Sequence, residues 1–334
     1  MKYQLIQFTD FSERYLGLVR DNNCIEQVGA AGETVYQLFQ KSESSGHSFS
    51  QEIEDSLTNI KYDYNDVYEG QGYEILPSMD HPDPHHLYVA GTGLTHLGSA
   101  SGRNSMHETK PDDMTDSMKM FQMGIEGGKP EAGGIGVQPE WFYKGQGHCL
   151  KGHGDFLNQP DYALDGGEEA EIAVSYIIDK DGNPVRMGFS LGNEFSDHKM
   201  ERINYLYLAH SKIRECAIGP ELHVGIELDD YSGTVSILRN DSEIWSSEIS
   251  TGEMNMSHSL ENLEYHHFKY AQFCQPGDVH IHFLGTPVLS YSDKICLQDG
   301  DEMSFKLKNF GRALKNKIKI NDNSPSMKRV RTVK

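Results

Sequence analysis

The stretch "DGGEEAEIAV", Asp165 to Val174, places Glu169 and Glu171 two positions apart at the head of an apolar run. Alternate residues of a strand share a face, so these two carboxylates project together, roughly 7 Å apart along the backbone at 3.3–3.4 Å rise per residue, while Glu168 points the other way. Carboxylates that converge with nothing between them raise one another's pKa and call for a cation or a shared proton. Hard oxygen ligands at this spacing suit Mg²⁺, with Mn²⁺ or Ca²⁺ as alternatives, whereas zinc is more often met by His or Cys. The turn signal "DKDGNP" follows, then the strand-like "MGFSLGNEFSDH". A hairpin there brings Glu194 back beside the first pair as a third ligand. Spacing alone also fits the solvent face of an antiparallel strand, and both readings stand at this point.

Those residues need a scaffold, and the chain supplies a mostly β one. Runs such as "LYVAGTG", "EIAVSYII", "ELHVGIEL", "TVSILRN" and "DVHIHFLGTP" are punctuated by Gly, Asp and Asn turns. Before them, "YQLIQF" and "YLGLV" read as strands, "ETVYQLFQ" carries Val35, Leu38 and Phe39 at helical spacing, and a second helix is expected near Gln51 to Ile60. The expected organisation is a small α+β domain over residues 1–80, a proline-rich connector "LPSMDHPDPHH", a catalytic domain over 85–320 and a basic tail over 321–334. The insertion from Ser101 to Pro130 holds Met114, Met118 and Phe121 near helical spacing, which fits either a lid or a helix packed on the sheet.

The whole-chain balance narrows the function classes. A formal charge of −20 over 334 residues lacks the basic face that a nucleic-acid partner requires. No run of eighteen apolar residues marks a membrane span and no leader pattern opens the chain, so a cytoplasmic protein is expected. Five cysteines without a CxxC pair signal neither a disulfide framework nor a thiolate zinc site. His81, His85 and His86 sit in the connector with no acid or cysteine pattern around them and are read as structural.

Taken in order, several segments resemble the fumarylacetoacetate hydrolase superfamily: "YVAGTGLTH", "WFYKGQGHCLKGHG", "EEAEIAV", "GFSLGNEFSDH", "SKIRECAIGPEL", "QPGDVHIHFLGTP" and "LQDGDEMSFKLKNFGRALKN", together spanning residues 85 to 318. The resemblance implies an α+β, mostly β fold, with a mixed β-sandwich roll as catalytic domain behind the small N-terminal unit. It implies metal ligands at Glu169, Glu171 and Glu194, a site lysine at Lys212, an acid or base at His96 and a substrate-contacting threonine at Thr286. Lys144 and Arg103 are candidates to pair with a substrate carboxylate or with nearby acids. This chain departs from the family pattern at Asn193-Glu194, where Asn-Asp is usual, and at His198 and Glu201, where Arg and Gln are common.

The dialect "GTGLTHLGSASGRNSMH" with "LGNEFSDH" is most similar to a branch associated with sugar-acid catabolism, related members of which dehydrate 2-keto-3-deoxy pentonates. The expected function is therefore a Mg²⁺-dependent lyase on a 2-keto-3-deoxy sugar acid such as 2-keto-3-deoxy-arabonate. The alternatives are a C–C hydrolase of a diketo acid, or a sugar-acid binding protein without a working acid/base pair. A homodimer is implied by the resemblance alone.

Overall fold

The computed structural model describes residues 2–21, 23–97, 114–321 and 325–333. Among them, seventeen strands run in chain order: β1 (Tyr3–Thr9), β2 (Arg14–Asp21), β3 (Cys24–Val28), β4 (Leu57–Asp63), β5 (Glu74–Ile75), β6 (Leu87–Gly93), β7 (Glu140–Gln146), β8 (Leu150–Lys151), β9 (Phe156–Gln159), β10 (Ala170–Ile178), β11 (Pro184–Asn193), β12 (Cys216–Val224), β13 (Tyr231–Arg239), β14 (Ser242–Thr251), β15 (Val279–Phe283), β16 (Glu302–Leu307) and β17 (Leu314–Ile320). A large mixed sheet has the order β4-β3-β2-β1-β12-β11-β10-β15-β6-β7, with β5 beside β1 and β8 beside β12. A smaller sheet runs β14-β13-β16-β17-β9.

Strand β10 shows why the sandwich forms. Its sequence AEIAVSYII is buried throughout and apolar on both faces apart from Glu171 and Ser175, as a central strand covered on each side requires. Ile172, Val174 and Tyr176 join Phe189 and Leu191 of β11 in a core shared with Val235, Ile237, Met303, Phe305 and Ile318 of the small sheet. On the opposite face, Ala173 and Ile177 meet Ile218 and Leu222 of β12, Ile281 and Phe283 of β15, and the apolar stripe Val35, Leu38 and Phe39. That stripe lies on the helix Val35–Ser45, which starts on a Thr34 side-chain cap and stops at Gly46 in the left-handed region.

The second N-terminal helix, expected near Gln51–Ile60, spans Phe49–Asp55 instead, and Leu57–Asp63 is strand β4 paired with β3. Ser48 caps the start, and past Ser56 the backbone groups of the next segment are taken by the sheet edge. The first eighty residues join the rest through antiparallel pairing of β1 with β12, Tyr3 opposite Val224 and Ile6 opposite Glu221, so one sheet runs through both.

Within the insertion, Asp116–Gly127 is helical behind a Thr115 cap. Phe121 and Gly124 are buried, and a Cβ on Gly124 would lie 2.7 Å from the His258 ring. That closeness marks a helix packed on the body. Met114 precedes the helix.

Candidate metal centre and active site

The acidic site is built where two strand ends meet. The hairpin β10–β11 pairs Ala170 with Asn193 and Glu171 with Gly192. Its tip is closed by Asp179, whose carboxylate accepts the Asp181 and Asn183 N–H groups, with Gly182 at positive φ. At the open end the Glu194 N–H donates to the Glu169 carbonyl at 2.9 Å. The turn thus brings Glu194 to the pair on the neighbouring strand, and one carboxylate oxygen from each of Glu169, Glu171 and Glu194 lies within 4.8 Å of the others. All three are buried. Glu168 faces away, held by the Ser290 N–H and hydroxyl at 2.7 and 2.8 Å.

Two lysines bind this cluster from one side. The Lys212 ammonium, at the end of the helix Leu208–Lys212, reaches Glu169 Oε1 at 2.6 Å, Glu194 Oε2 at 2.7 Å and Ser196 Oγ at 2.9 Å. Glu201 Oε1 lies 3.2 Å from the same nitrogen and also accepts from Ser211 Oγ. Lys144 has no exposed surface and donates to Glu194 Oε1 at 2.5 Å, the Phe195 carbonyl at 2.8 Å and the Lys212 carbonyl at 3.0 Å. An ammonium has three donors, and all three are used here. Lys144 therefore positions Glu194 and Lys212: of the two pairings expected for it, the structure shows the one with a nearby acid and not the one with a substrate carboxylate.

Electrostatics divide the three carboxylates. Burial pushes Glu171 well up, and the charges of Glu194 and Glu169 push it the same way, with Gly285 N–H as its hydrogen-bond donor at 2.6 Å. Burial also lifts Glu194 to about 7 against the pull of Lys144 and Lys212. Burial works to raise Glu169 too, but Lys212 and His198 outweigh it and hold this carboxyl well below its ordinary value. The cluster thus has more carboxylates than adjacent ammonium groups, and among the described residues Glu171 is in no ion pair. Three converging buried carboxylates, whose ionisation burial and mutual repulsion oppose, fit a divalent cation of the Mg²⁺ class, which would favour their charged form.

A cleft of about 930 Å³ opens beside the cluster, lined among others by His198, Glu201, Arg202, Tyr205, Tyr291 and Lys294. His198 Nε2 lies 3.2 Å from Glu169 Oε1 and Nδ1 lies 3.8 Å from Asp165 Oδ2. Its ring stacks on Tyr291 with centroids 5.1 Å apart. Burial lowers the pKa of this imidazole, but the Glu169 contact wins and the net shift is upward. On β7 the alternation that buries Lys144 and Phe142 also turns Glu140 toward the same side, and Lys212 Nζ sits 4.9 Å above the Phe142 ring. Burial raises the Glu140 carboxyl to about 7, opposed by the Tyr205 hydroxyl that bonds it and by the Lys212 charge. Opposite Glu140 in the ladder stands Gly93, where a Cβ would lie 2.0 Å from Glu140 Oε1.

The known proteins can be set beside this geometry. No protein-family model matches the sequence, and no curated protein does. Among solved structures, 2-keto-3-deoxy-D-arabinonate dehydratase complexed with magnesium and 2,5-dioxopentanoate superposes with a TM-score of 0.69 at 19% identity, covering 97% of this chain and 100% of that one. Its apo form matches at 0.69 and 20%, with the same coverage. A 5-carboxymethyl-2-hydroxymuconate delta-isomerase from Mycobacterium smegmatis matches at 0.57 and 13%, covering 95% of this chain and 100% of that one. The chain shares the fold of these solved structures. At these identities the likeness speaks for the fold, so residue roles rest on the geometry above.

Within this fold, the expected residues do not all meet at one place. Glu169, Glu171, Glu194 and Lys212 come together as one cluster. Thr286 lies next to Gly285, in the loop whose N–H holds Glu171, and its hydroxyl donates to the Val288 carbonyl at 2.9 Å. His96 sits behind that loop. Thr95 spends its hydroxyl proton on the Leu284 carbonyl, so it accepts from His96 Nδ1–H at 3.1 Å, and His96 Nε2 accepts from the Thr251 hydroxyl at 2.8 Å. Both ring nitrogens are occupied, and burial depresses the pKa to about 3. A neutral, fully bonded imidazole anchors the Gly285 loop and has no proton to exchange with the cleft, which corrects its expected acid/base role. Arg103 lies outside the described residues.

Sequence reasoning missed Glu140 and gave His198 only as a departure. The signal for Glu140 was present in "PEWFYKGQ", where period-two geometry puts Glu140 on the face of Lys144. The connector histidines do not converge on a metal: among the described residues only the three glutamates do, and His86 pairs with Asp278 at 2.7 Å.

Proposed function

We propose that this protein is a divalent-metal-dependent dehydratase acting on a 2-keto-3-deoxy sugar acid of the arabonate type. The observation that carries the reading is the convergence of three buried carboxylates with Lys212 beside a polar cleft lined by His198, Glu201 and Tyr205. A bound Mg²⁺ supplies Lewis-acid polarisation of the 2-keto acid, which makes its C3 protons acidic. Glu140, with a pKa of about 7, is the base that takes a C3 proton near neutral pH. The Lys212 ammonium, whose three donors hold Glu169, Glu194 and Ser196, acts on the negative charge that develops on the keto oxygen through its field and not through a hydrogen bond of its own. His198, whose pKa the neighbouring Glu169 shifts upward and whose ring stacks on Tyr291, is the acid that gives a proton to the departing C4 hydroxyl. Lys144 fixes Glu194 and the Lys212 backbone, so neither must reorganise during the reaction. Membership of a dehydratase in the group of similar folds supports the same class of chemistry.

The test is incubation with Mg²⁺ and 2-keto-3-deoxy-arabonate, following loss of one water by mass and a new aldehyde by carbonyl trapping. Glu171→Gln is expected to abolish both turnover and the Mg²⁺-induced rise in thermal midpoint. Unchanged metal affinity in that variant would remove the site from consideration. Pyruvate release from an acylpyruvate without dehydration would reassign the reaction to C–C hydrolysis, and tight binding of the sugar acid without product would make the protein a binding module.

A further inference from the structure

Outside the catalytic cleft, two thiols meet at the back of the lysine frame. Strand β8 pairs in parallel with the start of β12, Leu150 opposite Cys216. Cys149 immediately precedes Leu150 and packs against the same apolar cluster that contains Cys216. Cys149 is half-buried, whereas Cys216 is fully buried. Gly145 leaves room for the pair: its φ is +155°, and a Cβ there would lie 3.0 Å from Cys149 Sγ. The Cys216 thiol lowers the Cys149 pKa most strongly, burial opposes it, and the Lys144 charge lowers it further. Burial and the neighbouring Cys149 leave the Cys216 thiol well above its ordinary value. This is the arrangement of an accessible, thiolate-prone cysteine beside a resolving one.

We infer that Cys149 and Cys216 form a reversible disulfide when the protein meets a hydroperoxide. The Cys149 thiolate attacks the peroxide, an S–O bond forms as O–O breaks, and the leaving hydroxide takes up the thiol proton as water. The Cys216 sulfur then attacks the sulfenic acid; S–S forms, S–O breaks, and a second water leaves with the Cys216 proton. Two thiols lose two electrons and two protons, and one hydrogen peroxide becomes two waters. The new bond ties the turn after Lys144 to the segment after Lys212, the two stretches that frame Glu194. It stands independently of the proposed reaction.

The experiment uses the full chain, reduced, desalted and treated with a small excess of hydrogen peroxide. Remaining thiols are then alkylated and the protein is digested with trypsin without reductant. Titratable thiols are expected to fall from five to three. Peptide 145–151 should appear cross-linked to peptide 215–239, and dithiothreitol should restore both thiols. Cys149→Ser should retain all four of its thiols under the same treatment. Cys216→Ser should instead accumulate a dimedone-reactive sulfenic acid at Cys149. An uncross-linked Cys149, whether still a thiol or carried to the sulfinic acid, would overturn the proposal. So would oxidation confined to Cys24, Cys274 or Cys296.

Discussion

Replacing Lys144 with Met tests the cluster at its most buried member. The substitution keeps the apolar stem and removes the charge, leaving Glu194 with Lys212 alone and stripping a donor from the Phe195 and Lys212 carbonyls. Breaking a buried ion pair by removing one partner costs about 3–5 kcal/mol. An unfolding entropy of about 2.1 cal/mol/K per residue gives about 0.7 kcal/mol/K for this chain length, so the thermal midpoint should drop by about 4–7 °C. Part of the loss is relieved when Glu194 takes up a proton, which its pKa of about 7 already permits and the loss of Lys144 would favour. A protonated Glu194 is a poor metal ligand. The variant should therefore show little Mg²⁺-induced stabilisation at pH 7 and regain it as the pH is raised, measured by calorimetry with and without Mg²⁺. A midpoint within 1 °C of the unsubstituted chain, together with an unchanged Mg²⁺ response at pH 7, would refute the account of Lys144 as the residue that holds Glu194.

Other expectations concern acid stability and the base. Burial holds His96 and His282 to about 3, and His153, His223, His258 and His280 to about 4. These folded values lie below the ordinary 6.5, so the stability they confer is whole above pH 6.5 and is lost as pH falls toward 4. Glu221, raised to about 7 mainly by burial, works in the opposite sense: its contribution is whole below about pH 4.5 and lost as pH rises through 7. The histidines outnumber the carboxylates so raised, and the thermal midpoint should fall steeply between pH 6.5 and 4. His223→Gln should flatten that fall, and an unchanged slope would show that His223 titrates freely. Gly93→Ala should displace the Glu140 carboxyl and lower kcat at least tenfold with little change in midpoint or Mg²⁺ response; full activity would exclude Glu140 as the base.

How much of this was legible beforehand depends on the range of the interactions involved. The sequence alone determined the mostly β character, the shared face of Glu169 and Glu171, the opposed Glu168 and the return of Glu194, because strand alternation and a two-strand hairpin are local geometry. Helix termini depended on competition with a sheet edge, which is why Leu57–Ile60 became strand. Only the tertiary structure decided what each polar side chain does. Lys144 and His96 look like site chemistry in sequence, but packing filled every donor and acceptor they have, turning one into a fixed counter-charge and the other into a loop anchor. Glu140 and His198 gained their candidate roles from burial and from partners more than fifty residues away or across a turn, quantities that arise only when distant segments pack together.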